Sequence, residues 1–261
     1  MASVNKSYLD LINDCDSFPY PETWGPQTNH YAAFYRFLLP RDERPHGFLL
    51  AETVRKMPWT ADFTINHQAR EVRFTSSTQE NCTAALTSLI QAAIDQDTFK
   101  IIHGQHSEPY PIIGAKKSSP VSLERFAAPL FGSISRGAHL TAYTNTPTGL
   151  KIWVPRRSPK LFTYPNCLDT TVAGGVTAGE GPPRSAEEAS LPEQLVRENA
   201  KAVGCLSYIS HKDGGGVKGE GEKGLFSPEL IYVYDLELPA DVLCRQCDDE
   251  VKEFYLMDVE S

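Results

Sequence analysis

Residues 174–193 read Gly-Gly-Val-Thr-Ala-Gly-Glu-Gly-Pro-Pro-Arg-Ser-Ala-Glu-Glu-Ala-Ser-Leu-Pro-Glu, which places a glycine turn, a lone glutamate and a glutamate pair within fifteen residues. No other stretch constrains the fold as much. Gly174-Gly175 lets the backbone turn tightly and come close to another group. Pro182-Pro183 stiffens the backbone beyond Glu180, and Glu187-Glu188 heads a segment without further glycine. The stretch reads as a tight glycine turn and a stiff loop set between regular elements.

Those elements can be read from apolar periodicity. Gly149-Leu-Lys-Ile-Trp-Val154 alternates as a strand and is expected to end at Pro155. Further strands are predicted at 31–39, 63–67, 71–75, 130–133, 139–144, 168–172, 206–210, 229–236 and 250–259. Helical spacing predicts a short helix over 8–13, another over 52–56 and an amphipathic one over 83–95, with Thr78 and Asn81 as candidate caps. Residues 109–120 read as loop. Residues 213–224 are rich in glycine and charge and read as a loop that buries nothing. Their glycines lack the Gly-Lys-Ser/Thr ending of a phosphate loop. A change in composition near residue 135 suggests a small α/β domain over 1–135 and a strand-rich domain over 136–261.

At 261 residues with 41% hydrophobic side chains, the chain can build substantial cores. Its net charge of −8 argues against a nucleic-acid polymer as partner, since that needs a basic face. An acidic chain that handles phosphates must bring a cation. No run of eighteen apolar residues occurs, and the first thirty residues carry acids and no apolar signal core, so a cytoplasmic protein without a membrane partner is expected. The six cysteines (15, 82, 167, 205, 244 and 247) are then expected to be reduced. Cys244-Arg-Gln-Cys247 lacks two further zinc ligands at suitable spacing and reads as two ordinary thiols.

With its neighbours, the glycine–glutamate stretch resembles a Nudix box, the metal-binding loop–helix of enzymes that hydrolyse diphosphates linked to another group. The resemblance extends through Gly149-Leu-Lys-Ile-Trp-Val-Pro-Arg-Arg-Ser158, Thr163-Tyr-Pro, Leu168-Asp-Thr-Thr-Val-Ala-Gly-Gly175, Glu187-Glu-Ala-Ser-Leu-Pro192, Tyr232-Val-Tyr-Asp-Leu236 and Asp249-Glu-Val-Lys-Glu-Phe254. Together these are similar to the fungal and plant branch labelled thiamin pyrophosphokinase-related. The start of the chain, Tyr8 through Phe63, also resembles that branch's N-terminal domain. The resemblance implies an α+β fold: a Nudix α/β/α sandwich with a mixed sheet, preceded by a small α/β domain. Relatives continue into a further helix where this chain stops at Ser261, so the sandwich is expected to lack it. The implied activity is phosphate removal from thiamin diphosphate, its oxidised analogues, or nucleoside diphosphates of the 8-oxo-dGDP type, which are small-molecule partners.

The resemblance carries roles over residue by residue. Gly174 and Glu180 match the loop, and Glu187 and Glu188 match the paired ligands, so metal binding falls to Gly174, Glu180, Glu187 and Glu188, and catalysis to the three glutamates. The metal would be Mg²⁺ or Mn²⁺, hard cations that take oxygen donors. Arg156 and Arg157 are candidates to grip substrate phosphate, and Trp153 and Tyr164 to stack on a substrate ring. Glu250 and Glu253 are late carboxylates that could align water. The box departs from the family in two ways. Glu187 lies seven positions after Glu180 where the family has twelve, and Arg184 stands where a ligand glutamate belongs. Five lost helical residues amount to roughly 7.5 Å and about 140° beyond a whole turn. A catalytically impaired binding module, a degenerate paralogue or a wrongly spliced gene product is therefore the alternative expectation.

Overall fold

A computed structural model describes residues 7–15, 33–102, 108–161, 163–176, 189–211, 221–247 and 249–259. The chain builds an α+β fold on two mixed sheets and a two-stranded hairpin.

The first helix, α1 (Tyr8–Cys15), starts on a reciprocal cap. The Asp10 amide donates to Ser7 Oγ at 3.2 Å, and the Ser7 amide donates to the Asp10 carboxylate at 2.9 Å. The first sheet holds β1 (Tyr35–Leu38), β2 (Pro45–Leu49), β3 (Phe63–Asn66) and β4 (Glu71–Phe74), in the order β2-β1-β4-β3. β1 and β4 run parallel; the other pairs are antiparallel. β2 lacks alternation, so periodicity does not predict it. Pro45 opens it on the sheet edge, where a missing amide donor breaks no ladder. α2 (Ala51–Lys56) comes next, and Trp59 Nε1 donates to the Val54 carbonyl at 2.8 Å.

α3 (Cys82–Asp95) lays Leu86, Leu89, Ile90 and Ala93 on the first sheet, which is the helical stripe expected from their spacing. Neither Thr78 nor Asn81 caps it with a side chain: Asn81 occupies the cap position but makes no side-chain cap bond. The stretch expected to be loop contains β5 (Pro109–Pro111), which pairs with β6 (Ser122–Glu124). Residues 130–133, expected as strand, instead fall in and just after a helical turn, α4 (Ala128–Phe131), closed by Gly132 at φ +55°. A four-residue apolar run does not distinguish the two states; Pro129 in the first turn and left-handed glycine at the end select the helix. A Cβ on Gly132 would fall 2.3 Å from the Phe48 carbonyl oxygen.

The second sheet has the order β10-β11-β7-β8-β12, with β9 also on β7. Its strands are β7 (Ser135–Thr146), β8 (Gly149–Arg157), β9 (Val172–Gly175), β10 (Lys201–His211), β11 (Phe226–Glu237) and β12 (Val251–Asp258). β7 is central. It pairs parallel with β11 along Ser135–Tyr143, and antiparallel with β9 at one end and β8 at the other. β8 does not stop at Pro155 but continues to Arg157, because the Pro155 carbonyl still accepts from the Asp169 amide at 3.1 Å. Of the strand expected over 168–172, Val172 opens β9 and Leu168 makes a single bridge to Arg156. The buried Thr171 hydroxyl stands in for the ladder there, accepting from the Ala142 amide at 2.8 Å and donating to the Trp153 carbonyl at 2.6 Å. α5 (Glu193–Asn199) is the one α-helix of residues 136–261 among the described residues.

Two apolar clusters form. One collects Phe37, Leu39, Leu49, Val72, Leu86, Leu89, Phe131 and others of 35–131, together with Leu225. The other gathers Leu140, Trp153, Val172, Ala189, Leu191, Val196, Leu236 and Cys244.

Candidate active site

The box begins on β9. Val172 to Gly175 lie antiparallel to Leu140 to Gly137, so Gly174 sits opposite Ala138 in the sheet rather than in a free turn. The Val176 amide then donates to the Arg136 carbonyl at 2.8 Å, and Val176 is buried. Residues 177–188 lie outside the described residues, and with them Glu180, Arg184, Glu187 and Glu188. The far side of the box is anchored as firmly as the near side. Ala189 and Leu191 are buried in the second core, the Ala189 carbonyl accepts from the Arg245 amide at 3.1 Å, and Val196 of α5 joins the same cluster. The described residues on both sides of 177–188 are thus held in the second sheet and its core.

The other candidates sit around the end of β8. Arg157 donates from Nη1 to the Asp169 carboxylate at 2.8 Å and from Nη2 to the Thr163 carbonyl at 3.1 Å. Arg156 donates to the Tyr255 hydroxyl at 3.0 Å and the Asn166 carbonyl at 2.9 Å, with Glu253 at 3.6 Å and its guanidinium 5.5 Å above the Tyr255 ring. Both arginines thus clamp the 163–169 segment onto β8, and their donors are partly committed. Tyr164 stands on that segment in a left-handed turn (φ +49°), 44% exposed. Trp153 corrects the expectation of a stacking ring. It is 8% exposed, packs in the second core and donates Nε1 to the Thr144 hydroxyl at 3.3 Å, because alternation along β8 turns it inward. On β12 the Tyr255 hydroxyl, with Lys252 and Arg156 adding to it, holds the Glu253 carboxyl below the usual range.

Among the described residues no group of three His, Cys, Asp or Glu side chains could hold a metal ion. Cys244 is buried, which pushes its thiol up to about 12, while Cys247 is exposed, and both are free.

Two residues that sequence reasoning missed stand beside the box. A Cβ on Gly175 would fall 1.5 Å from the Tyr110 hydroxyl oxygen, so the phenol of β5 rests directly on the glycine backbone. The Arg125 guanidinium lies 5.8 Å over the Tyr110 ring. The only sequence signal was Pro109-Tyr-Pro111, which favours extended backbone but says nothing of contact.

Comparison with known proteins bears on this arrangement. No protein-family model matches the chain. The uncharacterized protein YJR142W of Saccharomyces cerevisiae is 29% identical over 268 residues, covering 97% of this chain and 77% of its own length. Nudix hydrolase 20, chloroplastic, of Arabidopsis thaliana is 32% identical over 186 residues, covering 69% of this chain. An aligned stretch of that share necessarily includes β7, β8 and β9. The chain belongs to the Nudix hydrolase superfamily. A second plant relative, Nudix hydrolase 24, chloroplastic, is 32% identical over 61% of this chain. The chain spans 46% and 42% of the length of these two plant Nudix proteins. Among solved structures, DR0079 from Deinococcus radiodurans aligns at a TM-score of 0.34 and 20% identity, covering 48% of this chain and 68% of its own, an overlap too shallow to add to the assignment. No helix among the described residues is long and apolar enough to cross a membrane.

Proposed function

We propose that the chain is a metal-dependent Nudix hydrolase that cleaves the phosphoric anhydride of a small-molecule diphosphate, with residues 136–261 as the hydrolase unit. The observation that carries this reading is the 32% identity to a plant Nudix hydrolase across an alignment that includes β7, β8 and β9. The chain's two anchors, Val176 on β7 and Ala189 on Arg245, support it. Glu180, Glu187 and Glu188, with the Gly174 carbonyl, are the proposed donors for Mg²⁺ or Mn²⁺. Such an ion neutralises charge that develops as water attacks phosphorus. Arg156, Arg157 and Tyr164 are the proposed substrate contacts at the 163–169 clamp. The resemblance to the thiamin pyrophosphokinase-related branch favours thiamin diphosphate or its oxidised analogues as substrate, with 8-oxo-dGDP-like nucleotides as a variant, in a cytoplasmic setting.

A panel of diphosphates incubated with Mg²⁺, read by phosphate release, tests the proposal. Turnover by the wild type and a loss of roughly 100-fold in Glu188→Gln are expected, since losing a carboxylate ligand weakens the hold on the ion that neutralises the developing charge. Equal rates for the two proteins would sink it.

The shortened spacing between Glu180 and Glu187, with Arg184 in place of a carboxylate, favours a second reading. In that reading the chain binds a diphosphate without turning it over. Calorimetry would then show ligand affinity while phosphate release stays at background for every compound and metal.

A further inference from the structure

A hollow of about 350 Å³ lies between β2 of the first sheet and the paired ends of β10 and β11 in the second. The chain fixes its walls. Gly47 and Gly132 let residues 131–133 press onto β2: a Cβ on Gly47 would fall 2.3 Å from the Phe131 carbonyl oxygen, and one on Gly132 2.3 Å from the Phe48 carbonyl oxygen. The Ser133 hydroxyl donates to the His46 carbonyl at 3.0 Å. The His46 side chain is 3% exposed, with Nδ1 donating to the Ile113 carbonyl at 2.9 Å and Nε2 lying 3.3 Å from the Asp42 carboxylate. Protein oxygens on both sides of the ring thus hold this wall rigid. On the opposite side, Phe34 meets Phe226 edge to face at 5.1 Å, and His211 stacks on Phe226 at 4.7 Å. A site set in this way spares a ligand the cost of ordering it.

Its chemistry is narrow. Ile113, Ile134 and Ile209 line the hollow yet remain 39%, 44% and 39% exposed. Large apolar side chains left open around one concavity mark a binding surface. No Asp, Glu, Lys or Arg lines it, so a charged group placed there would lose its water and gain no counter-charge. The rings of Phe34, Phe48 and Phe226 instead offer edges and faces to another ring. We propose that this hollow is a binding site for a small, uncharged, flat aromatic molecule. The assignment stands independently of the hydrolase reading.

N-phenyl-1-naphthylamine, whose fluorescence rises in apolar surroundings, is titrated into the full chain beside its 8-sulfonate, which has the same rings and one negative charge. The neutral compound is expected to bind at a single site with a Kd of about 200 μM or tighter, as its size allows in a preformed apolar site. The sulfonate should bind roughly tenfold more weakly or worse. Ile209→Trp and Ile134→Trp introduce an indole at the mouth from partly exposed positions, so the melting temperature should hold while affinity for the neutral compound falls roughly tenfold or more. Leu206→Ser controls for dye that merely settles on exposed apolar surface: Leu206 is 62% exposed on β10 and does not line the hollow, so its loss should leave affinity unchanged. Methyl NMR of the wild type adds a readout that needs no variant, with shifts on binding centred on Ile113, Ile134 and Ile209. A wild type that binds no neutral compound, unchanged affinity in both tryptophan variants, an equal loss in Leu206→Ser, or shifts centred elsewhere overturns the inference. Equal affinity for the sulfonate overturns the assigned class of ligand.

Discussion

Arg157 shows how a residue proposed for binding is first a structural clamp. Its guanidinium and the Asp169 carboxylate are each about one-fifth exposed, and the pair fixes the 163–169 segment that carries Tyr164. Arg157→Ala leaves Asp169 without its cation in a half-sheltered place and is expected to destabilise the fold by about 1–2 kcal/mol in urea denaturation. Thiols divide in the same local way. Burial pushes Cys82 up to about 11 and Cys244 up to about 12, whereas Cys167, Cys205 and Cys247 are exposed. A thiol reagent at pH 8 should modify the exposed three at once and reach Cys82 and Cys244 only on unfolding, because the thiolate is the reactive form. Chemistry of this kind is partly legible in the sequence. Glu187-Glu188 and the glycines name a family because their spacing is local. Trp153 is misread because alternation reveals that a side chain points to one face, not which face is buried. Tyr110 is invisible there because its contact with Gly175 is made by tertiary structure.

Among the elements, long periodic segments are the most legible: α3, β8 and β11 lie where their patterns put them. Misreadings concern short pieces, where period says little and a bracket of special residues decides. α4 is the clearest of them. Gly132→Ala would place a methyl 2.3 Å from the Phe48 carbonyl at a left-handed φ, and a loss of about 2 kcal/mol or more is expected in thermal or urea unfolding. On α2, Arg55 and then Lys56 hold the Glu52 carboxyl down to about 2 from an ordinary 4.5. A depressed folded value means its contribution is present above pH 4.5 and is lost as pH falls through about 2. The Glu52 side-chain signal in an NMR titration should accordingly show its midpoint near pH 2, and near the ordinary value in Arg55→Ala/Lys56→Ala.

The whole molecule is stitched together rather than strung as two beads. Leu225, which precedes β11, is buried in the first apolar cluster among residues of 35–131. The Glu222 carboxylate, nearby in sequence, accepts from the Lys100 amide. Leu225→Ala should therefore cost about 2–4 kcal/mol and lower amide-exchange protection in β1 and α3, far from it in sequence. A composition shift near residue 135 gives no hint of this stitch, because a few side chains, Leu225 and Glu222 among them, make it.

The parallel pairing of β7 with β11 has a consequence for how the protein is made. Ser135 meets Glu229 and Tyr143 meets Glu237, so the middle of the larger sheet waits for a strand synthesised long after its partner. A nascent chain that has just cleared β9 can close the β7–β8 hairpin and lay β9 beside it, yet one edge of β7 stays open until β11 leaves the ribosome. Contacts of such sequence separation form slowly, and an open strand edge invites pairing with other chains. For that interval the protein is a client for whatever shields strand edges in the cell, and the glycine end of the box is in place before the sheet that supports it is complete.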